Sequence, residues 1–134
     1  MMNTLTMVAE FHEAFGVPTP SSPAIPPAER CRLRVNLIRE ELGELEAALN
    51  ARDIIDAVDA LADLQVVLDG TFLELGLGPL KAAAMAEVHR SNMSKLGSDG
   101  KPIYRADGKV LKGPSYRPPD LARLLFPEWH GDPE

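Results

Sequence analysis

Apolar residues recur at helical spacing in four segments of the chain, and prolines and glycines separate these segments. The first segment, residues 1–16, is predicted to be a helix whose core-facing residues are Leu5, Val8, Phe11 and Phe15. Gly16 and Pro18 end this helix. Residues 17–27 contain five prolines, which lack the backbone N–H that a helix needs, so this stretch is predicted to be a loop.

Two long helices are predicted after the loop, over about residues 28–50 and 53–75. Their apolar stripes consist of Ile38, Leu42, Leu45 and Leu49 in the first helix, and of Ile54, Ala57, Leu61, Leu64 and Leu68 in the second. Asp53 is a suitable N-cap, because its short carboxylate can accept hydrogen bonds from the first turn. A fourth helix is predicted over about residues 80–96, with Gly97 as its C-cap.

The last part of the chain loses the helical period. Residues 97–134 are rich in glycine, proline and lysine, and the pair Asp107-Gly108 lies between IYR and KVL. This dipeptide favours the type I′ turn of a tight hairpin, and DLARLLF predicts a short final helix. The expected fold is an all-α bundle of four to five helices with an irregular basic tail. We expect one domain over residues 1–134 with its helical core at 28–96.

The composition favours a cytoplasmic protein. The 134 residues are 45% apolar, which is enough for a core, and the net charge of −6 argues against a nucleic-acid partner. Cys31 is the only cysteine, so an internal disulfide is impossible and a reducing compartment is favoured. No signal peptide and no apolar run of about 20 residues is found, so we expect no membrane partner.

Negative charge is concentrated in the middle of the chain. Residues 40–74 hold ten acidic residues and one basic residue, whereas residues 81–123 hold nine basic and four acidic residues. Two acidic sets each share one helix face at 100° per residue: Glu40, Glu41 and Glu44 within about 100°, and Asp56, Asp59 and Asp63 within about 60°. Both sets adjoin apolar or small residues, which is unusual for a solvated face.

Carboxylates that share a helix face repel one another, by roughly 4 kcal/mol for two charges 4 Å apart at an effective dielectric constant of 20. Divalent cations would offset this repulsion, and an all-oxygen set without histidine or cysteine suits Mg²⁺, with Mn²⁺ as a substitute. The alternative is two solvated faces in an acidic protein. The paired Glu-x-x-His motifs of a di-iron bundle, an EF-hand loop and a P-loop are absent from the sequence.

The motif EELGE at residues 40–44, followed by a second acidic helix, resembles the EExxE and ExxD signature of the MazG-like, all-α nucleoside triphosphate pyrophosphohydrolases. The second half departs from the family pattern. One register is ALAD at residues 60–63, which loses the first acid, and the other is DAVD at residues 56–59. The segment EVHRSNMSKLG and the tail resemble a bacterial and phage branch of this superfamily that prefers dUTP.

The resemblance implies the reaction NTP + H₂O → NMP + PPi, with dUTP as the expected substrate and Mg²⁺ as the cofactor. The metal ligands that it implies are Glu40, Glu41, Glu44, Asp56, Asp59 and Asp63. Of these, Glu40 and Glu41 are the expected catalytic residues, and Glu40 is either a ligand of a second metal or the base that aligns the attacking water. The expected substrate-binding residues are Arg90, Asn92, Lys95, Lys112 and Tyr116.

These substrate-binding residues have different expected partners. The three cations would neutralise phosphate groups, and Tyr116 would stack on the base. Asn92 is expected to be buried near a helix C-terminus, where it either pairs with a sugar hydroxyl or base edge or serves as a local cap.

Two other functions remain compatible with the sequence. One is a helical binding or dimerisation module without catalysis, and the other is a nucleotide sensor that binds without turnover. The long apolar stripes bury poorly in a single chain under any of these functions, so we expect a homodimer, with a tetramer as the alternative.

Overall fold

A computed structural model describes residues 2–127 of the protein. These residues form five α-helices and no β-strand: α1 (Thr4–Phe15), α2 (Ala28–Asn50), α3 (Ile54–Glu74), α4 (Lys81–Met93) and α5 (Ala122–Leu125). The all-α prediction is therefore confirmed. The chain divides into two compact units, of which the first ends at Pro79 and the second begins at Leu80. The single domain over residues 1–134 stays a prediction.

Caps and a short connection set the helix boundaries in the first unit. Asn3 caps α1, because its Oδ1 accepts a hydrogen bond from the Thr6 N–H at 2.9 Å. Gly16 ends α1 at φ 68°, a left-handed conformation that suits glycine. Asp53 caps α3 by accepting from the N–H groups two and three residues later, as predicted. Residues 51–53 suffice to reverse the chain, so α2 and α3 form a helical hairpin.

The predicted core of α1 is wrong at its two phenylalanines. Phe11 and Phe15 are 48% and 71% exposed, and their rings stack on each other at a centroid distance of 4.5 Å. Val8 and His12 are the buried residues of α1. The physical reason is a buried polar group of residues on α2 and α3 that faces His12, so that α1 turns this face inward and its phenylalanines outward.

The apolar stripes of α2 and α3 are only partly covered. Three alanines, Ala48, Ala57 and Ala60, are buried where the two helices meet. Larger residues of the same helices are more than half exposed, namely Leu42, Leu49, Ile54, Ile55, Val58 and Leu61. Small side chains therefore form the contact between the helices, and the large ones are left at the surface. Within residues 2–127 no helix has both the length and the apolar character that crossing a membrane requires.

The fourth helix is shorter than predicted. It covers Lys81–Met93 with Ser94 as its C-cap, and a single 3₁₀ turn covers Gly78–Leu80. Gly97 is not the C-cap, because its N–H donates to the Lys101 carbonyl oxygen at 2.8 Å and so closes a separate loop. Turns follow α4 where a regular helix was expected.

The tail contains the predicted reversal at Asp107-Gly108, but with a different turn. Tyr104 and Val110 form a single antiparallel bridge. Only Gly108 has a positive φ, of 90°, whereas a type I′ turn requires positive φ at both central residues. The predicted type I′ turn is therefore wrong, and residues 106–108 form a three-residue loop that ends at glycine. Helix α5 agrees with the predicted short final helix, and residues 128–134 of the predicted tail lie outside the described residues.

Candidate metal centre

Three carboxylates of the first unit come together on the α2–α3 hairpin. Glu41 and Glu44 of α2 and Asp63 of α3 each offer one oxygen atom, and these oxygens lie within 4.8 Å of one another. Glu41 and Glu44 lie one helical turn apart and so share a face. Oxygens on opposite sides of one Mg²⁺ are separated by about 4 Å, which is close to this spacing. The geometry thus brings these three side chains within reach of a single cation.

Glu41 is the half-buried member of the cluster. Its Oε2 atom is buried and has no hydrogen-bond partner among residues 2–127. Burial raises the pKa of Glu41 above its usual value, and Glu44 raises it further through its charge and a shared hydrogen bond. The charges of Asp63 and Glu40 act in the same direction. The cluster therefore contains a carboxylate oxygen that is destabilised as an anion and that a cation would satisfy.

The other three predicted ligands do not belong to this group of oxygens. Glu40 is exposed, and its charge acts on Glu41. Asp56 and Asp59 instead line a cavity of about 410 Å³ together with Glu44. The rest of that cavity is lined by Ala47, Ala48, Ala51 and Ala60, whose small side chains leave the space open.

The acidic side chains of the two possible registers of the second motif thus lie at different places. The register at residues 60–63 puts its remaining acid, Asp63, against the EExxE motif. The register at residues 56–59 puts its acids along the neighbouring cavity. The helical period could not separate the two, because Asp56, Asp59 and Asp63 leave α3 in nearly the same direction.

A buried polar group that the sequence analysis did not anticipate lies at the opposite end of the hairpin. Glu74, 2% exposed, accepts hydrogen bonds from the guanidinium groups of Arg30 and Arg34. Burial opposes ionisation of Glu74, but the bonds from Arg30 and Arg34 outweigh it and lower the pKa. The pKa of His12 is also lowered, first by burial and then by the charge of Arg34.

This polar group ties the start of α2 to the end of α3 and so helps to fix how the two acidic faces meet. One signal in the sequence could have found it. Arg30 and Arg34 precede Ile38 at a spacing of four residues, so they continue the apolar stripe that is predicted to face inward. Two basic residues in a stripe that is predicted to be buried require an acidic partner, and Glu74 supplies it.

The predicted substrate-binding residues lie in the second unit, along α4 and the tail. Arg90 donates hydrogen bonds to Glu87 and to the Pro118 carbonyl oxygen, so it is engaged within the unit. Asn92 is exposed, and the expectation that it is buried is wrong, because it lies on the outer side of the last turn of α4. The Lys112 Nζ atom lies 4.8 Å from the centroid of the Tyr116 ring, a cation–π contact.

Lys95 is half-buried and follows α4 directly. Its carbonyl oxygen accepts a hydrogen bond from the Gly113 N–H at 2.8 Å, which joins the tail to the end of this helix. A Cβ atom at residue 113 would lie 2.4 Å from the Leu96 carbonyl oxygen, so only glycine fits there. Lys95 at the end of α4 and Lys112 and Tyr116 in the tail therefore lie on two segments whose backbones are joined at this contact.

Comparison with known families adds one finding. The family model described as phosphoribosyl-ATP pyrophosphohydrolase matches residues 8–92. The matched range contains all three residues of the carboxylate cluster and most of α4. No curated protein matches the chain.

Proposed function

Since the chain belongs to the phosphoribosyl-ATP pyrophosphohydrolase family, within the MazG-like superfamily, we propose that it is a metal-dependent nucleoside triphosphate pyrophosphohydrolase. The proposed reaction is (d)NTP + H₂O → (d)NMP + PPi, with dUTP as the preferred substrate. The observation that carries this proposal is the cluster of Glu41, Glu44 and Asp63 inside the matched range. The preference for dUTP rests on the resemblance of the SNMSK segment and the tail.

The donor set fits a hard divalent cation. All three groups are carboxylates, and neither histidine nor cysteine takes part, which favours Mg²⁺ or its substitute Mn²⁺ over zinc. The buried Oε2 of Glu41 has no hydrogen-bond partner in the described part of the chain, which supports the same assignment, because a buried carboxylate oxygen is costly unless it is paired. When bound, such an ion supplies charge neutralisation for the phosphates and activation of a water molecule.

The proposed roles of the residues follow from their positions. Glu41, Glu44 and Asp63 hold the ion. Glu40 is exposed next to Glu41 and would align the attacking water or hold a second ion. Asp56 and Asp59, the remaining predicted ligands, stay predictions. In the second unit the proposed substrate-binding residues are Arg90, Asn92, Lys95, Lys112 and Tyr116.

A second candidate substrate is phosphoribosyl-ATP, which the description of the matching family names. The two candidates share the bond that is broken and differ in the base-bearing group. A panel of (d)NTPs and phosphoribosyl-ATP, incubated with Mg²⁺ and assayed for pyrophosphate, separates them. Binding of these compounds without release of pyrophosphate would instead favour the nucleotide sensor, and no binding would favour the non-catalytic helical module.

Glu44→Gln tests the cluster, and Glu46→Gln on the same helix is the matched control. Both variants remove one negative charge from α2, but Glu46 lies outside the cluster. Replacing a residue that only hydrogen-bonds to a metal ligand typically lowers activity by roughly 10- to 100-fold. We expect Glu44→Gln to lose more activity than this, because Glu44 is a proposed ligand itself. Glu46→Gln should keep wild-type turnover. Equal activity of both variants, or full turnover of the wild type in EDTA, would rule out the proposed centre.

We also propose that the protein is a homodimer. Leu49, Ile54 and Val58 are 60%, 74% and 60% exposed, and they surround the turn between α2 and α3. Monomeric proteins rarely leave clustered large apolar side chains uncovered by a partner. Light scattering after gel filtration should give the mass of two chains, with four chains as the alternative assembly. A monomer at micromolar concentration would contradict the proposal.

A further inference from the structure

The tail of the second unit is fastened to α4 at Arg117. The Ser91 hydroxyl donates to the Arg117 carbonyl oxygen at 2.8 Å, and the Arg117 N–H donates to the Ser94 Oγ atom at 3.0 Å. Ser91 is 2% exposed, so its bond to Arg117 is partly shielded from solvent. One residue later, the Arg90 guanidinium donates to the Pro118 carbonyl oxygen at 3.0 Å. The backbone of Arg117 is therefore held in place, which sets the direction in which its side chain leaves the tail.

The side chain of Arg117 differs from those of Arg90 and Arg123 in its ion pairing. Arg90 is bound to Glu87 through both its Nε and its Nη2 atoms, and Arg123 Nε is paired with Asp120 Oδ2 at 2.8 Å. The Arg117 guanidinium forms no ion pair or hydrogen bond with any of residues 2–127, and only its longer-range charge reaches Glu87. A guanidinium has five N–H donors, and within residues 2–127 no acceptor engages those of Arg117.

These side chains line one cavity of about 460 Å³, which is bounded by Glu87, Arg90, Arg117, Asp120, Arg123 and Leu124. Its carboxylates are already engaged. Glu87 accepts from Arg90 and from the Asp120 N–H at 3.0 Å, and these two bonds lower the pKa of Glu87 to about 2. Three guanidinium groups and two carboxylates leave one positive charge, and the arginine without a carboxylate partner is Arg117.

We propose that this cavity is a binding site for a diphosphate group, either free pyrophosphate or the phosphate chain of a nucleotide, with Arg117 as its principal donor. A guanidinium matches two oxygens of one phosphoryl group, and tetrahedral phosphoryl groups can contact arginines from more than one side. The cavity volume is in the range of small-molecule sites and leaves room for two linked phosphoryl groups. Arg90 is shared with the proposed substrate-binding residues, so the site deepens the proposed function and rests on it for its biological role, whereas its affinity for pyrophosphate can be measured without hydrolysis.

The test is a calorimetric titration of the full chain with inorganic pyrophosphate in buffer freed of divalent metals. The carboxylate cluster of the first unit then has no counter-ion and should not attract an anion. We expect wild-type binding that weakens with added salt. We expect Arg117→Gln to bind pyrophosphate roughly 10-fold or more weakly, because a hydrogen bond to a charged group is lost. Arg117→Lys keeps the positive charge but lacks the planar pair of N–H donors, so its affinity for pyrophosphate should be intermediate.

Arg39→Gln is the matched control, since it removes the same charge from an exposed position in the first unit and should bind like wild type. Arg123→Gln is a second cavity variant, and circular dichroism confirms that each variant is folded. A parallel titration with dUTP shows whether a nucleoside adds affinity, which identifies the source of the diphosphate. Absence of pyrophosphate binding, or equal binding by wild type and Arg117→Gln, would overturn the site and leave the proposed hydrolysis untouched.

Discussion

Replacing Glu41 by glutamine should stabilise the protein in the absence of metal and abolish its stabilisation by metal. In the metal-free protein the Glu41 carboxylate is half-buried and lies beside Glu44 and Asp63, with one oxygen that lacks a hydrogen-bond partner among the described residues. Glutamine keeps the shape of the side chain and removes the charge. The amide of glutamine can also donate a hydrogen bond to Glu44. Two carboxylates can form such a bond only when one of them is protonated.

The size of the effect follows from the separation of the oxygens. Two unit charges 4.8 Å apart repel by about 3.5 kcal/mol at an effective dielectric constant of 20 and by about 0.9 kcal/mol in water. Glu44 is exposed, so solvent screening keeps each repulsion near the lower figure. With two neighbouring carboxylates, Glu41→Gln should raise the free energy of unfolding by roughly 1–2 kcal/mol. This corresponds to a rise of a few degrees in Tm.

The pH dependence of the stability is an independent test of the charge on Glu41. Because the pKa of Glu41 is raised in the folded state, the native protein takes up this proton more readily than the unfolded chain. The metal-free wild type should therefore gain stability from this group as the pH falls through the raised pKa towards 4.5, its ordinary value. Glu41→Gln removes this contribution.

Thermal unfolding followed by circular dichroism measures both effects, with and without Mg²⁺ or Mn²⁺. The wild type should show a Tm that rises with metal concentration by mass action, and Glu41→Gln should show little change. Glu46→Gln removes the same charge outside the cluster and should behave like wild type in both conditions. A lower metal-free Tm for Glu41→Gln, or an unchanged response to metal, would refute the reasoning.

Three further outcomes are expected in the first unit, all measured by urea unfolding. Glu74→Gln should lower the free energy of unfolding by about 3 kcal/mol, because it leaves buried guanidinium charge without its carboxylate partner. Gly70→Ala should lower the free energy of unfolding by about 1–3 kcal/mol, because the added Cβ would lie 2.6 Å from Arg34 Nη1. The control Gly43→Ala places its Cβ with no atom within 4 Å and should raise the free energy of unfolding by about 0.5–1 kcal/mol. Since the pKa of His12 is lowered in the folded state, stability should fall as the pH falls below about 6.5, and His12→Asn should flatten this slope.

Helix boundaries in the first unit could be predicted from local signals. Asp53 accepts hydrogen bonds from the first turn of α3, and α1 ends at Gly16. The cap and the helix end were both predicted from residue type, and the structure adds that Gly16 is in the left-handed conformation. Such caps act within a few residues, so sequence is sufficient to find them. Gly97 was predicted to be the C-cap of α4 but is not, because its N–H bonds to the Lys101 carbonyl oxygen in a separate loop.

Burial on α1 could not be predicted in this way. Phe11 and His12 are adjacent, and apolar periodicity favours the phenylalanine as the inward residue. The structure buries His12, because Arg34 and Glu74 present a polar surface to this part of α1. Which face of a helix packs inward depends on whether the neighbouring helices present polar or apolar side chains to it. A local sequence pattern does not contain this information.

The sequence by itself determined that α2 and α3 each carry acids on one face, since a helix of fixed period sets the direction in which every side chain leaves its axis. Only the tertiary structure decided that Asp63 meets Glu41 and Glu44, whereas Asp56 and Asp59 line the cavity beside them. The distance between side chains on two helices depends on how far the helices are rotated and shifted against each other. In this protein the alanines between the helices and the Glu74 ion pairs set that rotation and shift.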